Sequence, residues 1–214
     1  MHADLGWTGR ANSVLPAGDP GLPFSDAAKQ AEAFYLERGL PPLALVRLGT
    51  PEAEAFHELG WTDARPEESD TLVLHTTLDH VNAQPAYEVL VSDQPDSQWY
   101  DAAFEGPVPA AAPPVMEGAP RTAFASVELD GQLVAVGRGS MTGHWLGVDA
   151  VRVDPAYRRR GLATALLQAL ARWAGPLGGR RTYLEVVEQN AGALATYIGL
   201  GYVEAYRYRY LTKR

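Results

Sequence analysis

Cysteine is absent from the 214 residues, and that absence removes three chemistries at once. No disulfide framework can form, no Cys-based metal site exists, and no thiolate is present to act as a covalent nucleophile. Long apolar runs are missing too: nowhere do 18 apolar residues follow one another, and residues 1–20 lack a basic start leading into an apolar core. A membrane span and a secretory signal are therefore not expected, and the sequence reads as a soluble, cytoplasmic protein. Basic charge is in the minority, with 18 Lys and Arg against 26 Asp and Glu and a formal net charge of -8. Such a surface repels nucleic acid and anionic membrane, so neither is expected as a partner. The five histidines never combine with carboxylates at metal-ligand spacing, so no metal is expected. Gly137-Arg138-Gly139 lacks the third glycine of a dinucleotide fingerprint and reads as the end of a hairpin. What remains is 46% apolar and 21% charged, enough for one large or two small units with real cores.

Against this acidic background one stretch stands out. Residues 151–167, VRVDPAYRRRGLATALL, run from an alternating apolar strand through a proline turn into three consecutive arginines, a glycine and an Ala/Leu-rich helical run. Arg158, Arg159 and Arg160 thus stand at a helix start, where the helix dipole already contributes positive charge and guanidinium groups are unfavourable without an anion. The backbone N–H groups of residues 159–163, the bare Gly161 and the arginine donors together suit a phosphate.

The surrounding pattern is a mixed α/β sheet of α+β type. Residues 85–92 read as a strand, and 95–105 as a short amphipathic helix opened by Pro and Asp. Residues 106–120 hold five prolines and read as a surface connection without regular structure. Asp130-Gly131 between two apolar segments signals a tight hairpin. Trp145–Val153 follows as a strand, Gly161–Ala174 as a helix, Arg181–Val187 as a strand, Asn190–Leu200 as a helix and Tyr202–Leu211 as a last strand.

Arg158-x-x-Gly161-x-Ala163 after a V-x-V-x-P strand resembles the acyl-CoA signature of the GNAT acetyltransferase superfamily, [Q/R]-x-x-G-x-[G/A]. The element order from about residue 85 onward resembles that family as well. The resemblance implies the GNAT acyl-CoA N-acyltransferase fold, acetyl-CoA as co-substrate, and direct acetyl transfer to a primary amine without a covalent enzyme intermediate. It places the pyrophosphate on Arg158, Arg159, Arg160, Gly161, Leu162, Ala163 and Thr164, and the pantetheine arm on the backbone of Val151 and Val153. Asn190-x-x-Ala193-x-x-x-Tyr197-x-x-x-Gly201-Tyr202 is similar to the family's N-x-x-A-x-x-x-Y-x-x-x-G-[FY], which implies CoA contacts for Asn190 and Ala193. Asn190 also reads as a helix N-cap in its own right. In the subgroup that acetylates ribosomal-protein N-termini, LEV is followed after twelve residues by Tyr, as Leu184-Glu185-Val186 is by Tyr197 here. That resemblance makes Glu185 the candidate base and Tyr197 the candidate acid for the departing thiolate, with Asp149 or a water chain as rivals to Glu185. A non-catalytic acyl-CoA-binding sensor is the alternative from another class. A plain phosphate or nucleotide binder is a third reading.

Residues 1–84 show an internal likeness to the later half. Aligning Pro16 with Pro155 sets SVLP against VRVDP, DAAKQAEAFYLERG against ATALLQALARWAG, PLALVRL against RTYLEVV and, after a short slip, HELGW against IGLGY. The counterpart loop, AGDPGLPF, carries Asp19 and prolines where the second copy has arginines, so it would repel a pyrophosphate and lacks N–H donors. Two units follow: a degenerate, partial GNAT-like unit over 1–84 and a catalytic one over 85–214. The family closes with two strands after the last helix and this chain has room for about one, so the missing edge is expected from the N-terminal half or from another protomer, which makes a homodimer plausible. Acceptor clues are few. Tyr206, Tyr208 and Tyr210 share one face of the last strand and read either as packing or as an acceptor wall. His144 and Trp145 open the strand leading to the arginine loop and read either as lining an acceptor pocket or as a surface hairpin contact, His75 and His80 read as surface residues, and Arg10, Asn12 and Ser13 are placed on an N-terminal strand that could reach an acceptor.

Overall fold

The computed structural model describes residues 6–67 and 70–213. The chain forms two compact units. The first comprises residues 1–72, 187–189 and 206–214, and the second 73–186 and 190–205. The sequence places a boundary at 84/85; the chain instead first changes unit at 72/73, and its last strand ends in the unit where the chain began. Strand pairing decides this, because it joins segments far apart in sequence and leaves no mark on local composition.

The first unit opens with a 3-10 turn at Gly9–Ala11, not the strand expected there. Asn12 is buried, donates to the carbonyls of Trp7 and Thr8 and accepts from the Gly6 amide, so its polarity serves the loop. Helix α1 (Phe24–Leu36), strand β1 (Leu43–Arg47), helix α2 (Pro51–Glu58) and the short β2 (Thr62–Asp63) follow. Val14 bridges Ala44 of β1 in parallel, which makes residue 14, α1 and β1 a small β-α-β unit. Its core gathers Ala28, Val46, Phe56, Trp61 and Leu211; Phe56 meets Phe24 and Trp61 edge to face, with centroids 5.0 and 4.8 Å away. Both β1 and β2 pair antiparallel with the end of the final strand β9 (Val203–Thr212), described below.

In the second unit, strand β3 (Thr71–Thr77) leads into a one-turn helix α3 (Leu78–Val81) and a short strand β4 (Leu90–Ser92), three residues of the expected 85–92. Helix α4 (Ser97–Ala103) starts on an Asp96 cap that accepts from the Trp99 amide. The proline-rich stretch, expected to lack regular structure, contains helix α5 (Ala112–Glu117). Pro113 and Pro114 stand in its first turn, where a missing N–H costs no intrahelical bond. Strands β5 (Thr122–Leu129) and β6 (Gln132–Thr142) form the hairpin on Asp130 and Gly131, whose φ of 53° and 76° give the mirror-image turn that matches strand twist. Then come β7 (Trp145–Val153), helix α6 (Leu162–Ala174), β8 (Arg181–Val187), helix α7 (Ala191–Gly199) and β9, close to the expected bounds.

The sheet of this unit runs β3–β8–β7–β6–β5–β4. Strand β3, encoded in the first half, stands beside β8 and supplies the edge that the sequence left open. The end of β9, in turn, serves the first unit, where Tyr208 is buried and Tyr206 and Tyr210 are half-buried. Helix α6 covers one sheet face with Leu162, Leu166, Leu167 and Leu170, each at most 1% exposed. Burying each contributes about 1.5–3 kcal/mol. Gly137 and Gly139 of β6 let it approach, since a Cβ at Gly139 would lie 3.0 Å from Leu170 and at Gly137 3.7 Å from Leu166. On the other face, α4 and α5 cover β5 and β6: Trp99 packs edge to face on Phe124, 5.0 Å between centroids, and Arg138 donates to the carbonyl of Met116.

Candidate active site

Two irregularities in β7 build the site. Against β6 the register passes from Val136↔Arg152 to Arg138↔Asp149, so Gly137 alone opposes both Ala150 and Val151. The extra residue is a bulge, and Ala150 takes it up at φ 52°. Against β8 the parallel pairing runs from Trp145↔Arg181 to Val148↔Leu184 and ends there, although both strands continue. The strands part at that point. Beyond it the β7 backbone from Asp149 to Val153 has an edge facing a gap rather than a strand, and Val151 and Val153 line it.

Helix α6 begins at the foot of this gap. Asp154 accepts from the Ala156 amide and fixes a 3-10 turn over Pro155–Tyr157. Arg159 and Gly161 follow with φ of 62° and 83°, and Gly161 has open space where a side chain would project. Its left-handed conformation turns the chain into α6 without a side-chain cap, which leaves the first-turn amides facing outward. From the other side Tyr87 donates to the Arg160 carbonyl at 2.8 Å and holds the turn.

A cleft of about 470 Å³ joins these features. It is lined by Val151, Val153, Arg158, Arg159, Gly161, Leu162, Ala163 and Thr164 on one side, and by Asn190, Ala193 and Tyr197 on the other. Of the residues expected at the cofactor, only Arg160 lies outside it, its guanidinium 5.0 Å from the Tyr157 ring centre. Among the described residues none of the three arginines is in an ion pair. Asn190 caps α7, accepting from the Ala193 amide at 3.1 Å while also lining the cleft. Tyr197 is 7% exposed, and burial pushes its phenol pKa up. Arg152, Glu105, Gly192 and Thr196 complete the lining and were not singled out in the sequence. Glu105 and Arg152 form an ion pair, 47 residues apart, a separation no local pattern reveals.

The sequence profile described as "Probable histone acetyltransferase Rv0428c C-terminal" matches residues 1–211. The chain belongs to that acetyltransferase family. It is a GNAT acyltransferase, with the mixed sheet of that fold. The chain is 26% identical to the uncharacterized N-acetyltransferase YobR of Bacillus subtilis over its whole length and 89% of that protein. Its fold is similar to a GCN5-related N-acetyltransferase from Sphaerobacter thermophilus (TM-score 0.65, 20% identity), covering 86% of this chain and 65% of that one. It is likewise similar to a tandem GNAT protein from the clavulanic acid biosynthesis pathway (TM-score 0.66, 16% identity), with 89% and 68% covered. This chain thus spans about two thirds of those two longer proteins.

Glu185, the candidate base of this GNAT chain, does not line the cleft. It is half-buried on β8, one position past the last paired residue Leu184; Asp149 stands one past Val148 on β7. Strand alternation points both carboxylates to the face opposite α6, flanking the place where the strands part. Asp149 accepts from Arg138 at 2.6 Å, so its charge is already balanced. The first unit has a pocket of about 180 Å³ between residues 14–20, α1 and α2, lined by Val14, Pro16, Phe24 and Phe56 together with Glu52. Asp19 there accepts from the Gly21 amide at 2.8 Å, so the loop's own carboxylate takes an N–H that an anion would need. His144 is engaged with the Gly178 carbonyl. His75, expected at the surface, is half-buried with Nδ1 enclosed, its ring 6.3 Å from that of Trp145.

Proposed function

We propose that this GNAT chain moves the acetyl group of acetyl-CoA directly to a primary amine. One observation carries the reading: the gap between β7 and β8 and the arginine-bearing N-terminus of α6 open into a single cleft. A backbone edge able to pair with an extended amide chain therefore leads to a site for a doubly charged phosphate group. Bound there, acetyl-CoA would supply an activated acyl thioester. Arg158, Arg159 and the amides of Gly161 to Thr164 hold the pyrophosphate, and the Val151 and Val153 backbone pairs with the pantetheine arm. An amide at the β7 bulge polarises the acyl carbonyl. Asn190 and Ala193 line the opposite wall.

The acceptor amine is protonated near neutral pH and must lose a proton before it attacks. Glu185 takes that proton: it follows Leu184, the last β8 residue paired with β7, and so stands at the mouth of the gap. Tyr197 gives a proton to the thiolate that leaves; burial keeps its phenol protonated. With no cysteine in the chain, direct attack by the amine fits better than a thiol relay.

Calorimetry with acetyl-CoA and a free-thiol assay over a panel of amines test this. Arg158→Ala/Arg159→Ala should weaken acetyl-CoA binding by more than about 100-fold, at about 1.5–3 kcal/mol per charged hydrogen bond lost, whereas Arg160→Ala should change it little. Undiminished binding in the double variant overturns the assignment of the loop. Tight binding without thiol release from any amine favours a sensor instead. A Glu185→Gln protein that keeps the acidic limb of its pH–rate profile rejects the base.

A further inference from the structure

The sheet face opposite α6 is covered over β5 and β6 by α4 and α5, and carries an exposed aromatic group over β7 and β8. Trp145 and Tyr183 are 37% and 36% exposed and meet edge to face, centroids 6.1 Å apart. The His75 ring stands 6.3 Å from Trp145 on another side, and the Arg181 guanidinium lies 5.6 Å from the Trp145 ring centre. Gly147 makes this arrangement possible. A Cβ there would fall 2.8 Å from the Tyr183 hydroxyl oxygen and 2.9 Å from its Cζ, so the phenol ring rests on bare backbone. Large apolar side chains left at the surface in contact with one another mark a binding surface more often than isolated ones do.

Position relates the group to the site. Gly147↔Tyr183 is the pair before the last, Val148↔Leu184. Glu185 follows Tyr183, and Asp149 follows Gly147, two residues further along on the same face, about 7 Å at the strand rise, while Trp145 lies a further two residues back. An aromatic surface therefore adjoins two carboxylates and the opening of the acyl-donor cleft.

We infer that the acceptor is a primary amine joined to a flat aromatic ring by a short chain of about two or three carbons, its ring packed on Trp145 and Tyr183 and its ammonium group turned toward Glu185. This rests on the acetyl-transfer reading above. Straight-chain amines gain no ring contact here. Polycations would place further charges near Arg181, which disfavours them.

Steady-state thiol release from the full chain at saturating acetyl-CoA, with 2-phenylethylamine, 3-phenylpropylamine, n-hexylamine and spermidine, tests the inference. The two aryl amines should exceed the other two in kcat/KM by about tenfold, the size expected of a favourable ring contact plus buried ring area. Trp145→Ala and Gly147→Ala should each raise the aryl-amine KM about tenfold with the acetyl-CoA KM within about twofold, and Trp145→Phe should restore most of the loss. Hexylamine or spermidine turning over as well as the aryl amines overturns the substrate class and leaves acetyl transfer standing. So do unchanged aryl-amine KM values in both Trp145→Ala and Gly147→Ala. Absence of thiol from all four amines, with acetyl-CoA bound, counts against the transfer reading itself and takes this inference with it.

Discussion

Arg138 joins three parts of the second unit. Its guanidinium donates at 2.6 Å to Asp149, next to the bulge residue Ala150, and at 2.6 Å to the Met116 carbonyl of α5, with the Arg138 side chain only 9% exposed. Arg138→Met fills a similar volume but removes both bonds. Breaking a fully buried ion pair from one side costs about 3–5 kcal/mol. Asp149 is 35% exposed, so water recovers part of that and about 2 kcal/mol remains. The orphaned carbonyl adds about 1 kcal/mol. A total near 3 kcal/mol should lower the midpoint of thermal unfolding by roughly 6–12 °C for a chain of this length, measured by tryptophan fluorescence. Arg138→Met/Asp149→Asn should regain about 1–2 kcal/mol, because the second change removes the charge that Arg138 paired with. The acetyl-CoA KM should rise in the single variant, since Asp149 no longer anchors the bulge that shapes the cleft. A shift below about 2 °C, or no recovery in the double variant, refutes the assignment of Arg138 as the clamp.

At Gly161 the space around a methyl group is empty, so Gly161→Ala isolates backbone strain: stability should fall by about 1–2 kcal/mol by chemical denaturation, and acetyl-CoA affinity should fall with it. Asn190→Ala should cost about 1 kcal/mol for the lost cap, and calorimetry should show weaker acetyl-CoA binding beyond that, because the same residue lines the cleft. Burial raises the Tyr197 pKa, so the folded chain holds that proton more tightly than the unfolded one: its contribution is fully present below the ordinary phenol value near 10 and is lost as pH climbs through the folded value. Tyr197→Phe should therefore lower kcat while the pH–rate profile between pH 6 and 9 keeps its shape, and should flatten the alkaline decline in stability.

The residues of the cleft were legible because their chemistry is local. Three arginines before a glycine at a helix start, and Asn190 at the spacing of a cap, need only neighbouring residues to be read, and the structure brings Arg158, Arg159, Gly161, Asn190 and Tyr197 to one cleft. The hairpin at Asp130-Gly131 and the strands at Trp145–Val153 and Arg181–Val187 were legible for the same reason. Helix α5 departs from the expectation because five prolines read as a surface connection without regular structure, whereas a first turn has no use for those N–H groups. Arg160 looked equal to its neighbours, and only the fold turned it onto Tyr157.

The sequence by itself determined the arginine–glycine motif at 158–161, the order of elements and the placing of Asp19 and prolines in the AGDPGLPF loop, all properties of short segments. Tertiary structure alone decided that β3 stands beside β8, that β9 ends in the first unit, and that Trp145, Tyr183 and His75 meet on one face. It also decided that β7 and β8 part after Val148 and Leu184. Strand pairing and register join residues more than a hundred positions apart through backbone groups that every residue carries, so no side-chain pattern encodes them on its own.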